Sequence, residues 1–209
     1  FTVQDEASQL CTAALDAKAG MNVIDVCSAP GSKSFGAAMD MNNDGEILAF
    51  DLHESKLSLI RSGAERLGLD IITARAADGR AFNAELEAWA DRIICDVPCS
   101  GYGIIRKKPD IREKDPDTMK ELPQLQLAIL KNQARYVRPG GVLLYSTCTL
   151  VRRENEGVVE KFLKAHNDFS LEPLPLPPVF GEGNTGMLRL LPGEYDTDGF
   201  FICRLRRKA

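Results

Sequence analysis

The stretch "DVCSAPGSKS", residues 25–34, closes the short apolar run "MNVIDVC" (21–27) and precedes a second periodic segment, "KSFGAAMDM". A strand-type run, a turn of small residues and then a helical pattern make the opening of a β-α unit. The glycine spacing is neither GxGxxG nor GxxxxGK[ST], so a dinucleotide fingerprint and a P-loop are both disfavoured. In open α/β sheets ligands bind beyond the carboxyl ends of the strands, which is where this turn falls. Gly31 and its small neighbours let backbone amides approach a ligand, and the following helix N-terminus favours an anionic group.

The same grammar continues outward. "DEASQLCTAALDA" reads as an amphipathic helix with Asp5 as its cap. Then come strand "EILAFD", helix "SKLSLIRSGAERLG", strand "DIITARA", a short helix near 81–89 and strand "DRIICDV". A loop rich in charge and proline runs from 98 to about 116, and a long helix spans roughly 117–137, stopped by "RPGG". Strand "VLLYSTC" and helix "RENEGVVEKFLKAH" follow, and "GMLRLLPG" and "DGFFICRLRR" suggest an antiparallel finish. Alternating strands and helices imply right-handed crossovers and a sheet covered on both faces. The expected fold is α/β and Rossmann-like, of the methyltransferase type. Its sheet is mostly parallel and seven-stranded, its last strand antiparallel, with helices on both faces.

Three acidic residues stand at strand ends. Asp51 ends the second strand and suits ribose hydroxyls. Asp78 lies just after the third strand and suits an adenine amine, and Asp96 ends the fourth. Each is equally a candidate cap for a turn or helix. Together, around one glycine loop, they suggest an adenosine-bearing ligand without a pyrophosphate. S-adenosylmethionine fits, because its sulfonium is cationic and needs no phosphate cradle.

The chain has 209 residues, 44% hydrophobic and 27% charged, with a net charge of −4. That is one sizeable domain. No apolar run reaches membrane-spanning length and no signal peptide is visible, so a cytoplasmic protein without a membrane partner is expected. Six cysteines, Cys11, Cys27, Cys95, Cys99, Cys148 and Cys203, form no paired zinc spacing, and His53 and His166 lie far from them, so no metal is expected. The chain begins without Met, at "FTVQDEASQL", and reads as a piece of a longer protein. Five basic residues crowd "YGIIRKKPDIREK" (102–114). Arg106, Lys107, Lys108 and Arg112 are candidates for holding phosphates of a polyanion, with Arg152 and Arg153 second in rank, although such runs also serve as solvated faces. Tyr102 either stacks on a base or packs.

Two cysteines stand at the ends of apolar runs, in "DVPCSG" (96–101) and "STCT" (146–149). Singly, either reads as a buried structural thiol. At the ends of adjacent parallel strands both face the ligand crevice. A thiolate there can attack carbon 6 of cytosine, converting the ring to an enamine whose carbon 5 accepts a methyl. An acid at Asp96 would share a proton with ring N3.

These segments carry a resemblance. "DVCSAPGSKS", "ADRIICDVPCSG" and "STCTLVRRENE" resemble the Sun and NOL1/NOP2 family of RNA cytosine-5 methyltransferases, and "IIRKKPDIR" is similar to the bacterial Sun-type ribosomal RNA enzymes. The resemblance implies Cys148 as nucleophile and Cys99 as the residue that helps release product, with Asp96 and Lys33 beside the target base. It implies S-adenosylmethionine bound by Cys27, Ser28, Ala29, Pro30, Gly31, Ser32, Lys33, Asp51, Asp78 and Asp96. The implied partner is RNA, in particular ribosomal RNA, and the implied architecture is one catalytic domain, 1–209, lacking an N-terminal RNA-binding domain. Ser32 departs from the glycine usual in the family, and a left-handed backbone there would cost about 1 kcal/mol. The competing readings are methylation of an exocyclic amine or a small molecule, against which "DVPC" lacks the acidic-Pro-Pro-aromatic motif, and a non-catalytic binding module, which has no need of the two thiols.

Overall fold

A computed structural model describes residues 3–115, 119–180 and 185–209. Its elements are α1 (Glu6–Leu15), β1 (Met21–Val26), α2 (Ser32–Asp40), β2 (Gly45–Asp51), α3 (Glu54–Leu67), β3 (Ile72–Ala76), β4 (Ala90–Asp96), α4 (Leu122–Ala134), β5 (Val137–Thr147), α5 (Glu156–Ala165), β6 (Phe169–Leu171), β7 (Met187–Leu190) and β8 (Phe200–Arg207). The strands form one sheet in the order β3-β2-β1-β4-β5-β8-β6, with β7 also paired to β8. Strands β1 to β5 run parallel, while β8 pairs antiparallel with β5, β6 and β7.

Strand periodicity divides the core between the two faces. Val23, Ile47, Ile94, Leu144 and Ile202 point to one side, where Cys11, Leu15, Phe35, Leu57 and Ile60 of α1–α3 cover them. Their neighbours Ile24, Leu48, Ile93, Leu143, Phe201 and Cys203 point to the other, under Ile129 and Leu130 of α4 and Val158, Val159 and Phe162 of α5. Burial on both faces is why these strands read as continuous apolar runs rather than alternating ones. Asp5 caps α1 as expected, accepting from the Ala7 amide at 3.1 Å. Buried Arg92 and Arg204 donate to the carbonyls of Leu15 and Ala14 and so hold the end of α1 on the sheet.

Several expectations are corrected. Among the described residues the sheet has eight strands, not seven, because Phe169–Leu171, at the start of the proline-rich stretch, adds the short strand β6 to β8. Residues 81–89 hold only a 3-10 turn, Ala84–Leu86. The long helix is α4, ending at Ala134, and "RPGG" lies inside β5 rather than after a helix. The expected start of that helix, at 117, lies outside the described residues. "RENEGVVEKFLKAH" divides into a 3-10 turn, Arg152–Glu154, and α5. Ser32 carries no left-handed cost, since it begins α2 and the left-handed residue is Gly31, at φ 108°.

Strand order reverses between β1 and β4, so the crevice at their carboxyl ends is the switch point of the sheet. The register pairs Asp96 with Ser146, which sends the chain after β4 and the chain after β5 out side by side. Gly103 locks the first of these loops, donating its amide to the Cys148 carbonyl at 3.0 Å and accepting from the Gly199 amide at 2.9 Å. A Cβ on Gly103 would drive into the Gly199 carbonyl, which is backbone and cannot give way. Gly103→Ala is therefore expected to cost about 2–3 kcal/mol. The measurement is the urea midpoint at unchanged m-value; an unchanged midpoint would show that the loop does not rest on Gly199.

Candidate active site

The loop after β4 and the loop after β5 bring the two cysteine sulfurs to 3.1 Å. Both thiols are largely removed from solvent but not sealed. Two buried sulfurs this close share a proton. Cys148 lies below the ordinary thiol range because the Cys99 thiol donates to it, which outweighs burial and the Asp96 carboxylate, with Lys33 assisting. Cys99 is driven well above that range, first because Cys148 holds its proton and then by burial. Both directions agree with a Cys148 thiolate accepting from a Cys99 thiol.

Beside the sulfurs lies a second pair. Lys33, on the first turn of α2, places Nζ 2.6 Å from Oδ2 of Asp96, and the ammonium also sits 5.5 Å from the centre of the Phe200 ring. Burial would discharge this lysine, but the Asp96 carboxylate overrides it and Lys33 is held above its usual range. The other Asp96 oxygen accepts from the Ser146 hydroxyl at 2.7 Å, and the Cys11 thiol donates to that hydroxyl at 3.5 Å. Asp96 is thus oriented from both sides, and the predicted group Cys148, Cys99, Asp96 and Lys33 does converge on one cleft.

The loop after β1 forms the adjoining wall. Cys27 adopts φ 61° and Gly31 φ 108°, and these two left-handed residues turn the chain from β1 into α2; the Ala29–Pro30 peptide between them is cis. Ser28 donates its hydroxyl to the Phe50 carbonyl at 3.0 Å, and the Ala29 amide donates to Asp51 at 3.3 Å. Asp51 also accepts from the His53 amide at 3.1 Å, so it ties this loop to the start of α3. Asp78 accepts from the Arg80 amide and guanidinium, at 2.9 Å and 2.6 Å in its shortest contacts. Both acids therefore perform the capping role weighed above; Asp51 keeps lone pairs for a ligand, while both oxygens of Asp78 are engaged by Arg80. Asp25, fully buried under the loop, accepts from Ser34 at 2.5 Å and is pushed up to about 7 by burial.

The field in this loop is negative. Cys27 is pushed up to about 12, first by burial and then by the carboxylates of Asp25, Asp51, Asp96 and Asp78 together. A cavity of about 60 Å³ lined by Val26, Phe50, Asp78, Gly79 and Gln133 adjoins it, and Oε1 of Gln133 has no hydrogen-bond partner among the described residues. Apolar walls, free acceptors and converging carboxylates suit a cationic, adenosine-bearing group rather than a polyphosphate.

Sequence reasoning missed the support behind the thiols. Ser146, Phe200, Ser100, Thr149, Gln126, Glu154 and Asn155 all contact the site residues or their flanks. The signal for Ser146, Thr149, Glu154 and Asn155 was the quoted "STCTLVRRENE" and for Ser100 it was "DVPCSG", while Gln126 and Phe200 had none. Of the basic candidates, Arg106 faces Asp196 and Asp198, and Lys107 pairs with Asp5 and Asp198. These two pin their loop, while Lys108, Arg112 and Arg153 remain exposed and Arg152 pairs with Glu160. No helix of the described residues is long and apolar enough to cross a membrane.

Comparison with known proteins places this geometry. The family described as 16S rRNA methyltransferase RsmB/F matches residues 12–206. "Probable ribosomal RNA small subunit methyltransferase B" of Bacillus subtilis is 45% identical over 100% of this chain and 48% of its own length. Ribosomal RNA small subunit methyltransferase F of Escherichia coli is 39% identical over 99% of the chain and 45% of its own. This chain therefore spans about half the length of the curated relatives it matches. Among solved structures, NSun6 from Pyrococcus horikoshii, determined with SFG, superposes with a TM-score of 0.84 at 30% identity, covering 99% of this chain and 53% of the other. With that family match across almost its whole length, and the paired cysteines, loop and strand-end acids in one crevice, the chain belongs to the RsmB/F family of 16S rRNA methyltransferases.

Proposed function

We propose that this chain is the catalytic domain, 1–209, of a cytoplasmic enzyme that methylates carbon 5 of a cytosine in small-subunit ribosomal RNA. The observation that carries the reading is the pair of cysteine sulfurs in contact beside the Lys33–Asp96 ion pair. Family membership supports the substrate class. The negative β1 loop supports S-adenosylmethionine as cofactor, as does the SFG of the Pyrococcus relative, an analogue of that molecule. When bound, S-adenosylmethionine supplies an electrophilic methyl. Cys27 to Lys33, Asp51 and Asp78 would hold it, with Asp96 at the edge shared with the base.

The chain's own groups account for the rest. Cys148, the more readily ionised sulfur, attacks carbon 6 of a base taken out of its stack. Bond formation pushes electrons into the ring, and the Lys33 ammonium and Asp96 carboxylate are placed to steady the charge and accept from the exocyclic amine. Carbon 5 becomes an enamine carbon able to take a methyl. Cys99 no longer faces a thiolate once Cys148 bonds carbon; it loses its proton to solvent and, as thiolate, takes the proton from carbon 5. The carbon 5–hydrogen electrons re-form the ring double bond, the carbon 6–sulfur bond breaks and Cys148 departs as thiolate. Asp96, doubly hydrogen-bonded, serves better as an orienting carboxylate than as a free acid.

Three outcomes follow. Cys148→Ala is expected to lower methylation of RNA by at least about 10⁴-fold, and Cys99→Ala to accumulate a covalent RNA–protein adduct visible on a denaturing gel. Full methylation by Cys148→Ala would overturn the nucleophile assignment. The second concerns pH. A lowered Cys148 keeps its thiolate to lower pH, so the rate of adduct formation should plateau below the pH at which an ordinary thiol ionises. Removing the Cys99 donor should move that acid limb upward, and identical limbs for wild type and Cys99→Ala would contradict the shared proton. The third concerns RNA. The double variant Lys108→Ala/Arg112→Ala should weaken binding and reduce the salt slope by about two, while an unchanged slope would remove this loop from the RNA interface.

A further inference from the structure

Behind the two thiols lies a buried polar assembly that the chemistry above does not use. Glu154 and Asn155, neighbours in sequence, are both fully buried. Oε2 of Glu154 accepts from the Ser100 amide at 2.9 Å and from Nε2 of Gln126 at 3.0 Å, and the same Gln126 nitrogen donates to the Pro98 carbonyl at 2.9 Å. Pro98 and Ser100 are the residues on either side of Cys99. Asn155 does the equivalent for the other thiol. Its Nδ2 donates to the Thr149 carbonyl at 2.9 Å and its Oδ1 accepts from the Thr147 hydroxyl at 2.6 Å, and Thr147 and Thr149 flank Cys148. The Ser100 and Thr149 hydroxyls close the assembly at 2.7 Å, and the Tyr145 hydroxyl fixes the Glu154 carbonyl at 2.5 Å.

From this arrangement we infer that Glu154 and Asn155 are positioning residues that set the separation of the two sulfurs, one residue gripping the flanks of Cys99 and the next gripping those of Cys148. The inference rests on the reading of Cys148 and Cys99 as reacting groups. A peptide bond joins the two grips, so the sulfurs cannot drift apart without breaking at least one of them. Stability alone is a poor account of Glu154. A buried carboxylate is costly, one of its oxygens has no partner among the described residues, and apolar replacements of buried charges are often neutral or stabilising. Side chains that must meet within a few tenths of an ångström need such second-layer support.

The test uses this chain alone and needs neither RNA nor cofactor. Alkylation by iodoacetamide at neutral pH is followed at Cys148 and Cys99 by peptide mass spectrometry. The groups facing Cys148 are Cys99, Asp96, Lys33 and its own backbone. Removing the grip should take away the Cys99 donor and leave the other groups in place. Glu154→Ala and Asn155→Ala are each expected to slow Cys148 alkylation about tenfold and to bring the Cys148-to-Cys99 rate ratio toward one. Glu154→Gln, which retains an acceptor oxygen for Ser100, should stay near wild type. Phe162→Leu, which weakens the core away from these loops, should lower thermal stability and leave the ratio unchanged. If Glu154→Ala does not fold, Gln126→Ala, which cuts the ties to Pro98 and Glu154, carries the same expectation. An unchanged ratio in the folded variant, or an equal fall in Phe162→Leu, overturns the inference. Methylation that survives Cys148→Ala would instead overturn the catalytic reading and leave the alkylation ratio untouched, so the two failures are distinguishable.

Discussion

One proton shared between two sulfurs 3.1 Å apart is the constraint on which the site depends. An isolated buried thiol resists ionisation, as Cys11, Cys95 and Cys203 in this same molecule show, each pushed upward mainly by burial. Cys148 escapes that fate because a donor touches it. The donor must itself be buried and aligned, and it must not ionise first. Cys99 meets all three conditions at the end of the neighbouring strand. Pairing thiols in this way gives a nucleophile without a histidine, and His53 and His166 stand outside the site.

The fold supplies the meeting place at little cost. Parallel β4 and β5 carry Asp96 and Ser146 in register, so loops leaving their carboxyl ends start side by side. The reversal of strand order beside β1 opens the crevice, and the β1 loop fills its other wall with carboxylates. Lys33 then stands between two needs. It compensates the acidic wall and it faces the sulfurs, so a single ammonium links the β1 loop to the cysteine pair. Aromatic Phe200, from the antiparallel strand β8, steadies it from above.

Much of this was legible in the residues, for definite reasons. Apolar runs ending in Asp or Cys are strands whose ends face a crevice, so Asp51, Asp96, Cys99 and Cys148 were found from local pattern alone. "DVCSAPGSKS" gave away its turn because small residues and proline leave few alternatives. What escaped was set by long-range packing. β6 has only three residues, and it is a strand only because β8 offers it an edge, whereas β7 lies in "GMLRLLPG", which was read as part of the antiparallel finish. "RPGG" looks like a helix stop, yet Ala90 pairs with Val137 before the register shifts, so the segment is drawn into β5. The basic loop misled for a similar reason: Asp5 and Asp198 are remote in sequence, and only folding brings them to Lys107. Glu154 lay within "STCTLVRRENE" but without any sign of its role, and Gln126 carried no sign at all, because a polar side chain reads as exposed until it is found fully buried.

The shared proton can be observed without any reaction. Selective ¹³C labelling of the cysteine Cβ carbons, followed by NMR titration of the unliganded protein, reports ionisation at each sulfur separately. The account predicts that the Cys148 carbon titrates first and below an ordinary thiol, with Cys99 silent over that range. Two carbons titrating together in the ordinary thiol range, or Cys99 ionising ahead of Cys148, would contradict it.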